Sequence, residues 1–259
     1  MIVDDGSTDN TRELIDNLKR TSDFKISYLY QKNKGKHNAL NLGIDCLDSE
    51  LVLIVDSDDY LLDTAIENIY RIHLKHQHNI NIAAYAFLKC YKNGDSVISI
   101  DCDECVRNYI DYRIKQNRPG DMAEVFKSYI LKQYKFVVFD NEKFISEDTT
   151  WIEISKHYDF LFMNKPIYVC QYQCDGLSAK DKLLKFRSPL GSMYRGIQLM
   201  YSRCGIIANI KGAIIYNCYY QKTCNPILSD LSVKDIILIF LTKPLGIYFR
   251  KKWKKIGNL

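Results

Sequence analysis

Proline and glycine are scarce in this chain, at 5 and 12 of 259 residues, and tryptophan occurs only twice. That scarcity excludes collagen-like, Pro-rich and Gly/Ser-linker architectures. There is no run of 18 clean apolar residues, so no transmembrane helix is expected. No charged-then-apolar leader pattern opens the chain, and the nine cysteines are an odd number. Together these predict a reducing, cytoplasmic setting in which cysteines serve as small apolar core residues. Cys102-x-x-Cys105 and Cys170-x3-Cys174 are half-signatures at best, with no His in register to complete a zinc site. A Gly-rich basic loop near the start is also missing, which argues against a nucleotidyltransferase.

What is present is a globular composition, 47% hydrophobic and 26% charged. The net charge of +5 is uneven. Much of it lies in Arg250-Lys251-Lys252-Trp253-Lys254-Lys255, so nucleic acid is not the expected partner, and an anionic membrane surface is.

Apolar periodicity alternates between strand and helix in the first half. A helix through about Arg20 places Leu14, Ile15 and Leu18 inward, and "KISYLYQ" reads as a strand. "KHNALNLGIDCL" is a helix with Leu40, Ile44 and Leu47 at core spacing. "LVLIV" reads as a strand buried on both faces. A further helix, "LDTAIENIYRIHLKH", precedes the strand "INIAAYAFLKCY", and a hairpin turn is expected at Asn93-Gly94-Asp95. "DMAEVFKSYILKQY" and "SEDTTWIEISKHY" read as helices, and "KPIYVCQYQ" as a strand. The alternation implies an α/β fold with a mainly parallel sheet. After about Leu184 three helical stretches follow, near residues 187–204, 207–221 and 232–255, with Pro244 breaking the last. That segment, apolar then basic, fits an interfacial amphipathic helix. It fits equally a helix packed on the catalytic part with a solvated end.

The chemistry concentrates in "LVLIVDSDDYLL". Asp56, Asp58 and Asp59 crowd the carboxyl end of a strand, where open α/β sheets place ligands. Carboxylates this close repel unless a cation lies between them, and hard oxygen donors suit Mg²⁺ or Mn²⁺ shared with substrate phosphates. Asp4-Asp5 closes an earlier strand at the same edge. Between the two pairs, Gly35 allows a tight loop that offers Lys34 and Lys36 to anionic groups.

"IVDDGSTDNT", "NKGKHNALNLGI" and "LVLIVDSDDYLL", in this order, resemble the nucleotide-sugar half of family 2 glycosyltransferases with the GT-A fold. "GDMAEVFKSYIL", "KFISEDTTW" and "IYVCQYQCDGLS" extend the resemblance to about residue 178. It implies a Rossmann-like GT-A domain over residues 1–184, with a nucleotide-sugar part (1–95) and an acceptor part (96–184). A helical region over 185–259 would follow. It implies a nucleoside diphosphate sugar donor, a divalent Mn²⁺ or Mg²⁺ ion, and a saccharide or lipid-linked acceptor. Asp5 would hold the base or ribose, with Asp4 and Gly6 shaping its loop. Lys36 and Asn38 would lie near the nucleotide. Asp56 would face ribose and metal, Asp58 would ligate the metal directly, and Asp59 would support them. Asp148 would be the general base, with Glu147 beside it and second choice for that role. His37 reads as an exposed helix-start side chain, and Trp151 either as an acceptor-stacking ring or as core.

The family's first strand, loop and helix, roughly 30 residues by ordinary element lengths, do not precede "IVDDGSTD". The expectation is an N-terminally truncated fold with exposed flanking strands. The functional alternatives are an inverting transferase on the inner membrane face, building surface polysaccharide, and a catalytically incompetent remnant of one.

Overall fold

The computed structural model describes residues 1–171, 181–220 and 231–256. Strands β1 (Ile2–Asp4) and β2 (Tyr28–Tyr30) pair in parallel across helix α1 (Thr11–Thr21). A two-stranded sheet is too narrow to cover a wide helix face. Only Ile15 of α1 is buried, while Leu14 and Leu18, expected inward, stand exposed.

Helix α2 (Lys36–Asp45) buries Ile44 and packs Leu40 against the main core, and Leu47, just past its end, joins them. The chain then builds a six-stranded mixed sheet from β3 (Leu51–Leu53), β4 (Tyr60–Leu61), β5 (Ile82–Cys90), β6 (Glu104–Arg107), β7 (Met122–Lys127) and β8 (Asp159–Val169). The spatial order is β3-β7-β5-β8-β4, with β6 also on β8. β5 and β8 are parallel, and β7 runs antiparallel to both β3 and β5. Helix α3 (Ala65–His76) supplies the crossover to β5, and the turn at Asn93-Gly94-Asp95 forms as expected.

β5 is the centre of the molecule, nearly every residue of it buried. The two-residue period divides its side chains. Ala84, Ala86 and Leu88 join Phe126, Phe160 and Phe162 on one face; Tyr85 and Phe87 join Val125 and Leu161 on the other. β3, expected to be buried on both faces, is only half-buried. It is an edge strand, pairing with β7 alone, and β1 likewise pairs only with β2 among the described residues.

Two further expectations are corrected. Met122–Lys127 is strand β7 and not helix; only Ser128–Leu131 (α4) is helical. Its alternation places Met122 and Phe126 on one face and Ala123 and Val125 on the other, which suits a strand between two partners. Cys102 and Cys105 are joined in a disulfide and are not reduced. Cys90, Cys170, Cys204 and Cys218 are the buried free thiols expected, and Cys46 is exposed. Cys174 lies outside the described residues.

Beyond β8, α6 (Asp181–Arg187), α7 (Pro189–Met200), α8 (Ile206–Tyr219) and α9 (Val233–Ile256) form a helical layer with its own apolar cluster. α9 runs unbroken through Pro244. The ring lies on its exposed side, and bonds between α8 and α9 flank it: Asn217 Nδ2 donates to Ile239 O at 2.7 Å and Arg250 Nε to Cys218 O at 2.7 Å. No helix among the described residues is long and apolar enough to cross a membrane.

Candidate active site

The segments that carry the acidic motifs converge at one edge of the sheets. Asp4 ends β1, and its buried carboxylate accepts from the Ser7 amide (2.7 Å) and the Tyr28 hydroxyl (2.7 Å). Burial works against its charge, but these donors outweigh it and hold the carboxyl below its ordinary range. The same bond pushes the Tyr28 phenol up to about 12.

Asp5, next along, accepts from Gln31 Nε2 (2.6 Å) and the backbone amides of Lys34 (2.8 Å) and Gly35 (2.8 Å). It therefore fixes the loop that leads into α2. That loop needs glycine at two places. Gly6 has φ +88° and a Cβ there would lie 2.6 Å from Asn33 N; Gly35 has φ +94° and a Cβ would lie 2.2 Å from Lys143 O. Asn38 Nδ2 donates to Lys34 O (2.9 Å), so it braces the same loop. His37, expected to be exposed, is buried, and burial lowers its pKa.

This loop aims Lys36 at the centre of the site. Its ammonium pairs with Asp56 Oδ1 and lies 2.7 Å from Glu147 Oε1. Burial disfavours that charge, yet Glu147 and Asp56 more than offset it and hold the ammonium protonated. Asp56 follows β3, and its backbone amide donates to the Tyr168 hydroxyl at 3.0 Å. Asp58 is exposed on the turn just beyond, and Asp59 Oδ1 accepts from the Gln171 amide at 2.8 Å.

Glu147 and Asp148 part company. Glu147 immediately precedes α5 (Asp148–Ile154) and faces Lys36. Asp148 faces the helical layer, where Arg195 of α7 grips it through Nε (3.0 Å to both oxygens) and Nη2 (2.8 Å). Burial raises the Asp148 pKa, but the guanidinium overrides it and holds the carboxyl low. Nearby, buried Glu142 accepts from the Leu190 and Gly191 amides, both at 2.7 Å, at the N-terminus of α7, where a helix favours negative charge.

A cavity of about 20 Å³ is lined by Lys36, Asp56 and Glu147 together with Lys89, Trp151 and Glu124. Trp151 is buried against Phe126 (ring centroids 4.3 Å) and is core. Glu124, on β7, is a residue that sequence reasoning missed. Burial pushes its carboxyl up to about 7 against the pull of Arg113 and Lys89. Taking this stretch as a helix hid it. A lone acid within the apolar alternation Met122-Ala123-x-Val125-Phe126 was the available signal.

No group of three or more His, Cys, Asp or Glu gathers around one point among the described residues. Asp56 and Asp58 nevertheless offer two carboxylates from one turn, the donor type that Mg²⁺ or Mn²⁺ takes when substrate phosphates complete the shell. The donor chemistry of the pair is of the kind that fits such an ion, although Asp56 Oδ1 also pairs with Lys36.

The α/β domain thus brings a Lys–carboxylate cluster and an acidic turn to one edge. The sequence model of glycosyl transferase family 2 matches residues 1–141, and the chain belongs to that family. It is 27% identical over 199 residues to glycosyltransferase GlyG of Streptococcus pneumoniae, covering 75% of this chain and 62% of that one. It is 45% identical over 65 residues to the poly-beta-1,6-N-acetyl-D-glucosamine synthase of Staphylococcus epidermidis, covering 25% and 16%. Thus the chain spans less than two thirds of these relatives. Among solved structures, residues 1–349 of S. aureus TarS in complex with UDP-GlcNAc share the fold, with a TM-score of 0.60 and 13% identity, over 98% of this chain and 80% of that one.

Proposed function

We propose that this chain moves a sugar from a nucleoside diphosphate sugar to a hydroxyl of a saccharide or lipid-linked acceptor, with inversion, in surface polysaccharide synthesis. The observation that carries this reading is the Lys36 ammonium held between Asp56 and Glu147 beside the acidic turn. Family membership and the relatives' names support it, and UDP-GlcNAc, bound by the TarS neighbour, is the first donor to try.

Breaking the glycosidic C–O bond leaves a diphosphate with additional negative charge. Lys36 is the fixed cation that can meet it. A divalent cation held by Asp58 and Asp56 would neutralise that charge further. An acceptor hydroxyl is a poor nucleophile at neutral pH, so a carboxylate must take its proton as the new bond forms. This reading gives the role to Glu147, because Arg195 bonds both Asp148 oxygens while Glu147 faces Lys36. Without donor, Lys36 also occupies Glu147. A diphosphate arriving at the cluster competes for the ammonium and frees Glu147 for proton transfer when the donor is in place. Asp148 is then a positioning residue that sets the start of α5. Asp4, Asp5, Gly6 and Asn38 shape the base-side loop. Peripheral contact with an anionic membrane through the basic end of α9 would bring the enzyme to lipid-linked acceptors.

The direct test is NMR of the product formed from UDP-GlcNAc. Inversion predicts a new linkage of opposite anomeric configuration to the donor's; a retained configuration would overturn an in-line attack assisted by Glu147.

A further inference from the structure

The outer face of α9 is built unlike a solvated helix. Leu238, Thr242, Phe249 and Trp253 turn inward, at helical spacing, and the apolar ones pack on the cluster formed with Phe186, Met193 and Tyr216. Away from that cluster α9 presents Val233, Ile236, Ile237, Phe240, Leu241 and Leu245, each 49–74% exposed. They are interrupted by the exposed Lys234 and Lys243, whose long stems can carry their ammonium groups to a bilayer surface. Pro244 lies on this same outer side. From Val233 to Tyr248 the apolar face extends for roughly 24 Å of helix. Beyond it the same outward side becomes basic, with Lys251, Lys252 and Lys254 exposed.

The charge pattern selects the occupant. The one carboxylate of α9, Asp235, is spent at the N-terminus, accepting from the Ser232 amide (2.9 Å) and hydroxyl (2.7 Å) in a reciprocal cap. A second copy paired in parallel would oppose lysine to lysine. An antiparallel copy would lay lysines over Val233 and Ile236, with no acid to receive them. An anionic bilayer satisfies both halves of the face at once: acyl chains for the apolar turns, phosphate headgroups for the lysines.

We propose that α9 inserts its Val233–Tyr248 face into an anionic bilayer as an oblique anchor, with Lys251, Lys252 and Lys254 at the headgroups. This rests on the membrane contact proposed above and sharpens it, since it makes the apolar face and not the basic end the main anchor. The anchored helix is continuous with the catalytic part. α9 packs on α8, α8 on α7, and α7 holds Asp148 through Arg195.

Flotation of the full chain with vesicles of phosphatidylcholine alone or with 30% phosphatidylglycerol tests the anchor, that composition being about an ordinary anionic surface. The expected result is binding to the anionic vesicles that persists in part at high salt. Phe240→Gln with Leu241→Gln should lower partitioning by about tenfold or more. Replacing the three lysines by Gln should lower it by roughly fivefold per lysine. Phe240→Trp should report a blue-shifted emission on binding, quenched by brominated acyl chains. Both apolar positions are exposed, so an unchanged melting curve shows that the variants fold.

Binding that depends only on the lysines, vanishes in salt and leaves the Trp emission unmoved overturns insertion while keeping the basic contact. No vesicle binding overturns both. A mass in solution that falls from dimer to monomer with the Phe240 and Leu241 substitutions, without vesicle binding, assigns the face to a second copy and overturns the proposal.

Discussion

Glu147→Gln is expected to lower the rate of sugar transfer by about 10²–10⁴-fold, the usual contribution of a positioned general base, while donor affinity stays within a few fold. Gln keeps the size of the side chain and still offers an oxygen to the Lys36 ammonium, now 2.7 Å from Glu147 Oε1. The Lys36–Asp56 pair therefore persists, and with it the platform for the diphosphate. What the amide cannot do is accept the acceptor's proton. The matched experiment is Asp148→Asn, measured in the same initial-rate assay. That change should leave most of the rate in whatever fraction of the protein remains folded. If Asp148→Asn removes the rate and Glu147→Gln does not, the base is the arginine-bound carboxylate and the two roles are reversed.

The second large effect concerns stability. Arg195→Met should destabilise the fold by about 1–3 kcal/mol, the cost of leaving a largely covered carboxylate without its hydrogen-bond donors. Asp148 is largely covered and receives three hydrogen bonds from that one guanidinium. At roughly 2–4 °C per kcal/mol for a chain of this size, a drop of about 5 °C is expected in a thermal melt at pH 7. The sign with pH follows from the lowered carboxyl of Asp148. A carboxylate depressed on folding contributes stability that is fully present above its unfolded value, about 3.9. That stability is lost as pH falls through the folded value. The gap between wild type and variant should thus be widest at neutral pH and close as the medium is acidified below about pH 4. A gap that is flat with pH would mean Arg195 acts by packing and not by charge.

Much of this arrangement is legible in the amino-acid sequence. The acidic pairs at residues 4–5 and 56–58, with the Gly35–Lys36 helix start between them, already imply one edge, because each follows a strand in an alternating α/β pattern. The Leu40 and Ile44 spacing gives the inner face of α2. The failures have physical causes. A stretch such as Met122–Lys127 alternates like a strand but is followed by four helical residues, Ser128–Leu131. Reading the two as one helix concealed Glu124 and its carboxyl raised to about 7. The pairing of Asp148 with Arg195, nearly fifty residues away, is one that no local pattern could give. His37 follows a charged residue at a helix start and looks solvated, yet the loop that Asp5 clamps turns it inward. Leu14 and Leu18 have core spacing, yet both stand exposed and only Ile15 of α1 is buried. Only the tertiary neighbours decide such cases.

The central claim proposed for this chain is that Lys36, with a cation held by Asp56 and Asp58, receives the diphosphate of a sugar nucleotide. Calorimetric titration of the chain with UDP and UDP-GlcNAc, with and without Mn²⁺, tests it most directly. The expected result is saturable binding that Mn²⁺ strengthens and that Asp58→Asn weakens by about tenfold or more in Mn²⁺, as loss of one charge-bearing ligand should. Binding that is indifferent both to Mn²⁺ and to Asp58→Asn, or no binding of either nucleotide, would contradict that claim.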